Sequence, residues 1–187
     1  MPKKLSLMIA RLGPLDIPLR YGGDPRDGLL GVVIGQQVSS RAAAAIRARV
    51  FSAFPDRAAL YRAARAGELT DLGLSQSKQK TIQFISLIAD SEIDRWRFLP
   101  YAQRLETMTK VTGIGPWTVA MWSMFVCRDP DCWSQGDLIL RTRLAALSDD
   151  TGLSSAELLT MARPFRTYLA LALWALKDQI PRDKTIP

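Results

Sequence analysis

The chain is predicted to be all-α. Apolar residues recur at helical spacing along almost its whole length, and no two segments alternate convincingly as a strand pair. Ser, Asp or Pro also stands just before successive periodic stretches, where a helix needs a cap or tolerates a missing N–H. With 187 residues, 48% of them hydrophobic, the chain can bury a substantial core as one domain or two small lobes.

Leu5, Ile9 and Leu12 suggest a first helix, stopped by Gly13-Pro14. Residues 14–27 form a connection rich in Pro and Gly. Asp27 is placed to cap a helix over 28–35. Gln36-Gln37-Val38 is a turn, and Ser39 caps an Ala-rich helix from about 40 to 51. Pro55-Asp56 opens another, ending near Ala66-Gly67. Leu72-Gly73-Leu74-Ser75 is a break, with Ser75 capping a helix over 76–89 that turns Ile82, Ile85 and Ile88 inward. Pro100 precedes a helix to about Lys110. After a glycine-bracketed turn, Pro116 starts a helix to Cys127, because proline is best tolerated at the first helical position. Residues 128–136 read as a polar loop and 137–147 as helix. Ser154 or Ser155 caps the next helix, and Pro164 opens the last, to about Lys177.

Composition narrows the chemistry. Lys and Arg outnumber Asp and Glu by 25 to 18, giving a net charge of +7 and a pI near 9.8. That excess favours a polyanionic partner without identifying one. The chain has no histidine, which excludes a His-based triad, a histidine general base and the usual His-ligated zinc sites. Cys127 and Cys132 are too few for a disulfide framework and lack metal-ligand spacing; they fit a reducing compartment as ordinary thiols. Arg11 ends the short apolar run near the N-terminus, so no signal peptide is expected. The longest apolar run covers 168–176, far short of the ~20 residues that span a bilayer. These features point to a soluble cytoplasmic protein with no membrane partner.

The most informative stretch is Val111-Thr112-Gly113-Ile114-Gly115-Pro116-Trp117, followed at position 137 by an aspartate that opens the next helix. Two glycines around one apolar residue let the backbone turn sharply and approach another molecule closely. A helix N-terminus directly behind them offers unpaired N–H donors and the positive end of a dipole, which suit a phosphate. The same glycines are also compatible with plain helix–turn–helix packing and no ligand. Asp137 could N-cap the helix behind it, supply a carboxylate for chemistry, or do both.

These segments resemble a known family. Thr112-Gly113-Ile114-Gly115-Pro116-Trp117-Thr118 between helices, then Gly136-Asp137-Leu138-Ile139-Leu140-Arg141, is similar to the helix-hairpin-helix/Gly-Pro-Asp superfamily of DNA glycosylases. Ile34-Gly35-Gln36-Gln37-Val38-Ser39 and Leu72-Gly73-Leu74-Ser75 with Lys78 and Lys80 resemble two further family segments. The similarity covers about 28–170, and the closest branch is the 3-methyladenine (alkylated-base) DNA glycosylase II type. The resemblance implies two helical lobes with the active-site cleft between them. The first lobe would cover about 28–125 with the hairpin at 111–116, and the second about 1–27 plus 126–187. Larger bacterial relatives carry an additional N-terminal domain, so this chain reads as a catalytic core alone.

The resemblance implies that Asp137 is catalytic. Breaking an N-glycosidic bond builds positive charge on the sugar, which a nearby carboxylate stabilises. An alkylated purine already carries positive charge and leaves easily, so a separate general acid is dispensable. It implies DNA contacts from Gly113, Gly115, Thr118 and Arg141, and from Gln36 and Gln37, with Gln37 the better candidate to fill the gap left by a flipped base. Arg141, like Arg143 and Arg166, could contact phosphate or simply solvate the surface. Trp117, Trp122 and Trp133 are the candidate walls of a base pocket. Trp117 and Trp122 lie about 140° apart on one helix, so Trp122 could instead be core. Trp174, in a wholly apolar run, is expected in the core. The carbonyls of Thr109, Val111 and Ile114 match those that often hold a monovalent cation (sodium or potassium) in the family; no other cofactor is required.

Superfamily members with an additional lyase activity carry a lysine where Trp117 stands, so the resemblance implies a monofunctional hydrolase. The cysteines of the iron–sulfur branch are missing, so no cluster is expected. Ala162 stands where relatives often have Trp, which leaves the lesion spectrum open and Phe165 as a replacement wall. The implied activity is removal of alkylated purines from damaged duplex DNA, acting as a monomer. The alternatives are a catalytically silent DNA-binding domain and a glycosylase for deaminated or oxidised bases.

Overall fold

The computed structural model describes residues 16–175, and all regular structure among them is helical. After a 3-10 turn at Tyr21–Gly23 come ten helices. They are α1 (Pro25–Gly35), α2 (Ser40–Ala53), α3 (Arg57–Ala66), α4 (Gln76–Ile85), α5 (Asp90–Trp96), α6 (Tyr101–Met108), α7 (Pro116–Phe125), α8 (Leu138–Thr151), α9 (Ser155–Met161) and α10 (Arg166–Ala175). The helix expected around Leu5, Ile9 and Leu12 lies outside the described residues. No described helix is long and apolar enough to cross a membrane.

Local capping chemistry explains most helix starts. Asp24, Ser39, Asp56, Ser75, Asp137 and Ser154 each accept a backbone N–H from the first turn that follows. Such caps are worth about 1 kcal/mol each, enough to set where a helix begins. The cap of α1 is Asp24 rather than Asp27: Pro25 occupies the first helical position, and the Asp24 carboxylate accepts from Arg26 and Asp27 N–H at 2.9 Å. Ser154 and Glu157 form a capping box on α9.

The described residues divide into two compact units, 19–127 and 16–18 with 128–175. In the first, α1 is the central element and packs on α2, α4, α5 and α7. It is buried on nearly every side, as a helix without a polar face must be. A side-chain carbon at Gly28 or Gly31 would overlap Val126 or the Tyr21 ring, so glycine lets those groups close onto the helix. Leu29, Val33, Ile34, Ile82, Ile85 and Val119 fill the interior around it.

The expected helix over 76–89 ends early, at Ile85, and a separate helix follows from Asp90. The carbonyl of Ser86 accepts from Arg65, and that of Ile88 accepts from Arg26 at 2.6 Å. Arg26 also pairs with Asp90 at 2.6 Å and lies 5.2 Å over the Tyr61 ring, whose hydroxyl burial pushes up to about 12. Two carbonyls drawn to distant guanidinium groups end α4, and α5 starts at Asp90.

In the second unit, α8 packs against α9 and α10 through Leu140, Leu144, Leu147, Leu158 and Leu173. The loop before α8 is tied to α10. Arg166 holds Asp131 by Nε–Oδ1 at 2.6 Å and a second guanidinium nitrogen at 3.0 Å from Oδ2, and the Thr167 hydroxyl accepts the Cys132 N–H at 3.0 Å. Burial alone would raise the Asp131 pKa, but the hydrogen bonds and charge of Arg166 outweigh it and hold the carboxyl below its ordinary 3.8. The clamp therefore stabilises the fold above about pH 4 and fades as pH falls through the depressed folded value. Asp131→Asn should lower unfolding free energy by about 1–3 kcal/mol at pH 7 in urea titrations. The difference between variant and parent should shrink below pH 4; a gap independent of pH would contradict this ion pair.

Candidate functional site

The expected hairpin is present between α6 and α7. The chain leaves α6 at Met108 and closes a turn in which the Val111 carbonyl accepts the Ile114 N–H at 3.0 Å. Ile114 is buried and anchors the turn, while Thr112 and Gly113 stay exposed. Gly113 adopts φ +85°, a left-handed conformation, and its backbone presses on Thr81 of α4. A Cβ there would overlap the Thr81 hydroxyl and lie 2.8 Å from Thr81 Cβ. Gly113 thus has a structural reason to be glycine.

Gly115 has none. Its φ is −95°, and a Cβ would meet nothing within 4 Å. It is the N-cap of α7, whose first turn receives no side-chain cap. A glycine facing open space at an uncapped helix start leaves room for an anion on the helix donors.

The Gln36–Gln37 turn sits beside the hairpin. Gln36 points inward, and its Nε2 donates to Gly113 O at 3.0 Å and to Thr118 Oγ1 at 2.8 Å. Thr118 is 2% exposed, and its side chain is occupied inside the fold. Gln37 is exposed at the tip, with φ +54°. Lys78 is not a surface cation. Its Nζ donates to Ile34 O at 2.8 Å, and burial lowers its pKa.

Of the three tryptophans assigned to a base pocket, Trp122 is corrected to core. It is 0% exposed and its indole N–H donates to Pro25 O at 2.7 Å, locking α7 to the start of α1. Trp117 is half-buried on the first turn of α7, and Trp133 is buried in the loop before α8.

Asp137 caps α8, with Oδ1 accepting the Leu140 N–H at 3.0 Å. The same oxygen lies 3.4 Å from the Trp174 indole nitrogen. Trp174, expected in the core, is instead half-buried on α10 and faces this carboxylate. Its sequence signal was one N–H donor inside an otherwise apolar run. Two donors on Oδ1 fix the direction of the carboxylate. Arg141 is exposed on the first turn of α8. Arg143 and Arg166 are engaged within the fold, Arg143 with Leu173 O at 3.2 Å and Arg166 with Asp131. Phe165 is 58% exposed and meets Tyr168 edge-on at 6.1 Å between ring centroids. Among the described residues, no cluster of three or more His, Cys, Asp or Glu side chains could hold a metal ion.

Comparison with known proteins agrees with this architecture. The 3-methyladenine DNA glycosylase Mag1 of Schizosaccharomyces pombe, solved in complex with abasic DNA, superposes with a TM-score of 0.76. It shares 23% identity, over 100% of this chain and 96% of that one. A DNA-3-methyladenine glycosidase from Bacillus halodurans superposes with a TM-score of 0.73 at 26% identity, over 93% and 84% of the two chains. By sequence, the alkylbase DNA glycosidase-like protein mag2 of Schizosaccharomyces pombe is 24% identical over 195 residues, covering 96% of this chain and 88% of that protein. In fold and by distant sequence similarity the chain resembles 3-methyladenine DNA glycosylases. No family model matches it.

The two hairpin glycines should separate in a stability measurement. Gly113→Ala forces a Cβ into Thr81 at a left-handed φ and should cost about 2–4 kcal/mol. Gly115→Ala should stay within about 1 kcal/mol of the parent. Equal losses in chemical denaturation would contradict the roles given to them.

Proposed function

We propose that the chain is a monofunctional DNA glycosylase that hydrolyses the N-glycosidic bond of alkylated purines in duplex DNA. The observation that carries this is Asp137: a carboxylate at a helix start, oriented by the Leu140 N–H and the Trp174 indole. As the bond between C1′ and the base nitrogen breaks, the base leaves with the electron pair and positive charge develops on the sugar. A fixed carboxylate stabilises that charge and orients the water whose oxygen bonds to C1′, the water's proton passing to the carboxylate or solvent. An alkylated purine needs little help in leaving, which suits a chain with no histidine.

The hairpin would hold the DNA backbone through the α7 N-terminus, with Gly115 allowing the approach and the net charge of +7 favouring it. The carbonyls of Thr109, Val111 and Ile114 belong to the same turn, and Val111 O keeps a second lone pair beyond its bond from Ile114. They would hold a monovalent cation, whose charge would add to the attraction for phosphate. Gln37, exposed at the tip of its turn, would fill the space of a flipped base. Trp117 offers no amine nucleophile, so the reaction would end at the abasic site.

A second reading, a DNA-binding domain without catalysis, is favoured by the cap geometry, since Asp137 already serves α8. Asp137→Asn separates the two. Asparagine caps a helix about as well as aspartate, so folding should be unchanged while the negative charge is lost. With methylated duplex DNA and chromatography of the released bases, the parent should free 3-methyladenine or 7-methylguanine. The variant should be slower by a factor on the order of 10² to 10³. Parent protein that binds DNA and releases no base would favour the silent binder.

A further inference from the structure

We propose that Gln36 is a positioning residue that couples the turn carrying Gln37 to the phosphate-facing hairpin, so that grip and insertion act as one rigid unit. This rests on the DNA reading above and deepens it.

The turn over 35–39 is short, and its tip residue Gln37 sits at φ +54°, which a side chain rarely adopts unless its surroundings impose it. Three tethers hold its base. Lys78 Nζ binds Ile34 O at 2.8 Å, Ser39 caps α2 by accepting the Ala42 N–H, and the Gln36 N–H donates to Val33 O at 3.2 Å. None of these reaches the hairpin. The Gln36 side chain does. Its amide has two hydrogens, and they go to Gly113 O at 3.0 Å and Thr118 Oγ1 at 2.8 Å.

Both acceptors are themselves fixed. Gly113 is pressed on Thr81, and Thr118 lies buried in the first turn of α7. Gln36 therefore spans about 80 residues of sequence to join the exposed tip to both sides of the α7 N-cap. Successive residues of the pair have opposite tasks: Gln36 turns in and sets the register, and Gln37 turns out. Glutamate in place of Gln36 keeps the shape but offers no donor to Gly113 O, so it sets acceptor against acceptor.

The test compares affinities for an abasic-site duplex and an intact duplex of the same sequence, by fluorescence anisotropy. The proteins are the parent, Gln36→Ala, Gln36→Glu, Thr118→Val, Gln37→Ala and the Gln36→Ala/Gln37→Ala double variant. The parent should prefer the abasic duplex. Gln37→Ala should lower that preference about five- to tenfold, and Gln36→Ala and Gln36→Glu should match it. Thr118→Val, which removes one acceptor, should show part of the loss. The double variant should lose no more than either single one, because Gln36 acts through Gln37. A merely structural role would weaken both duplexes in proportion and leave the ratio unchanged, which would overturn the proposal. So would a ratio that falls in Gln37→Ala and not in the Gln36 variants, or losses that multiply in the double variant. A parent that does not distinguish the two duplexes would overturn the DNA reading itself.

Discussion

The contact on which the rest of the hairpin depends is the approach of Gly113 to Thr81. Backbone at left-handed φ meets a buried threonine on α4, whose hydroxyl is turned back onto Ser77 O at 2.9 Å. No side chain longer than hydrogen fits there. With the turn pinned at that point and Ile114 buried beneath it, the start of α7 has one position relative to α4 and α1. Gln36 can then reach Gly113 O and Thr118 with good geometry, and Gly115 is left facing open space. A preorganised arrangement of this kind needs little rearrangement to receive an anion, which is what makes backbone donors effective.

Much of this was legible in the sequence where the physics is local. Ser39, Asp56, Ser75 and Ser154 announce their helices because a capping side chain acts within three residues. The two hairpin glycines and Asp137 could be read from their spacing for the same reason. What was missed depends on groups far away in the chain. The break between α4 and α5 is made by Arg65 and Arg26, which are 21 and 62 residues from the carbonyls they bind. Trp122 and Trp174 show the limit of periodicity: both lie in apolar helices, and only packing decides that one serves the core and the other faces Asp137. The division of roles between Gln36 and Gln37 was likewise invisible, because it comes from a hairpin nearly 80 residues away.

On the proposed function, the two units carry different parts of the work: residues 19–127 supply the hairpin and the Gln36–Gln37 turn, and the second unit supplies Asp137. Asp137 caps α8, and the proposed chemistry would not conflict with that role, since capping requires the carboxylate to face the helix start and chemistry would require it to be held in one direction. Ala162 stands where the resemblance leads one to expect Trp, and Phe165, nearby in sequence, is largely exposed. Lesion choice is therefore where this chain is expected to depart from its relatives.

On the proposed function, the first turn of α7 is a ready-made phosphate site built by the hairpin. Amide chemical shifts followed by NMR during titration with an abasic-site duplex test it most directly. The Gly115 and Thr118 amides should shift strongly and saturate with the binding curve, with Gln37 moving alongside them. Saturable binding that leaves the Gly115 and Thr118 amides in place would contradict it.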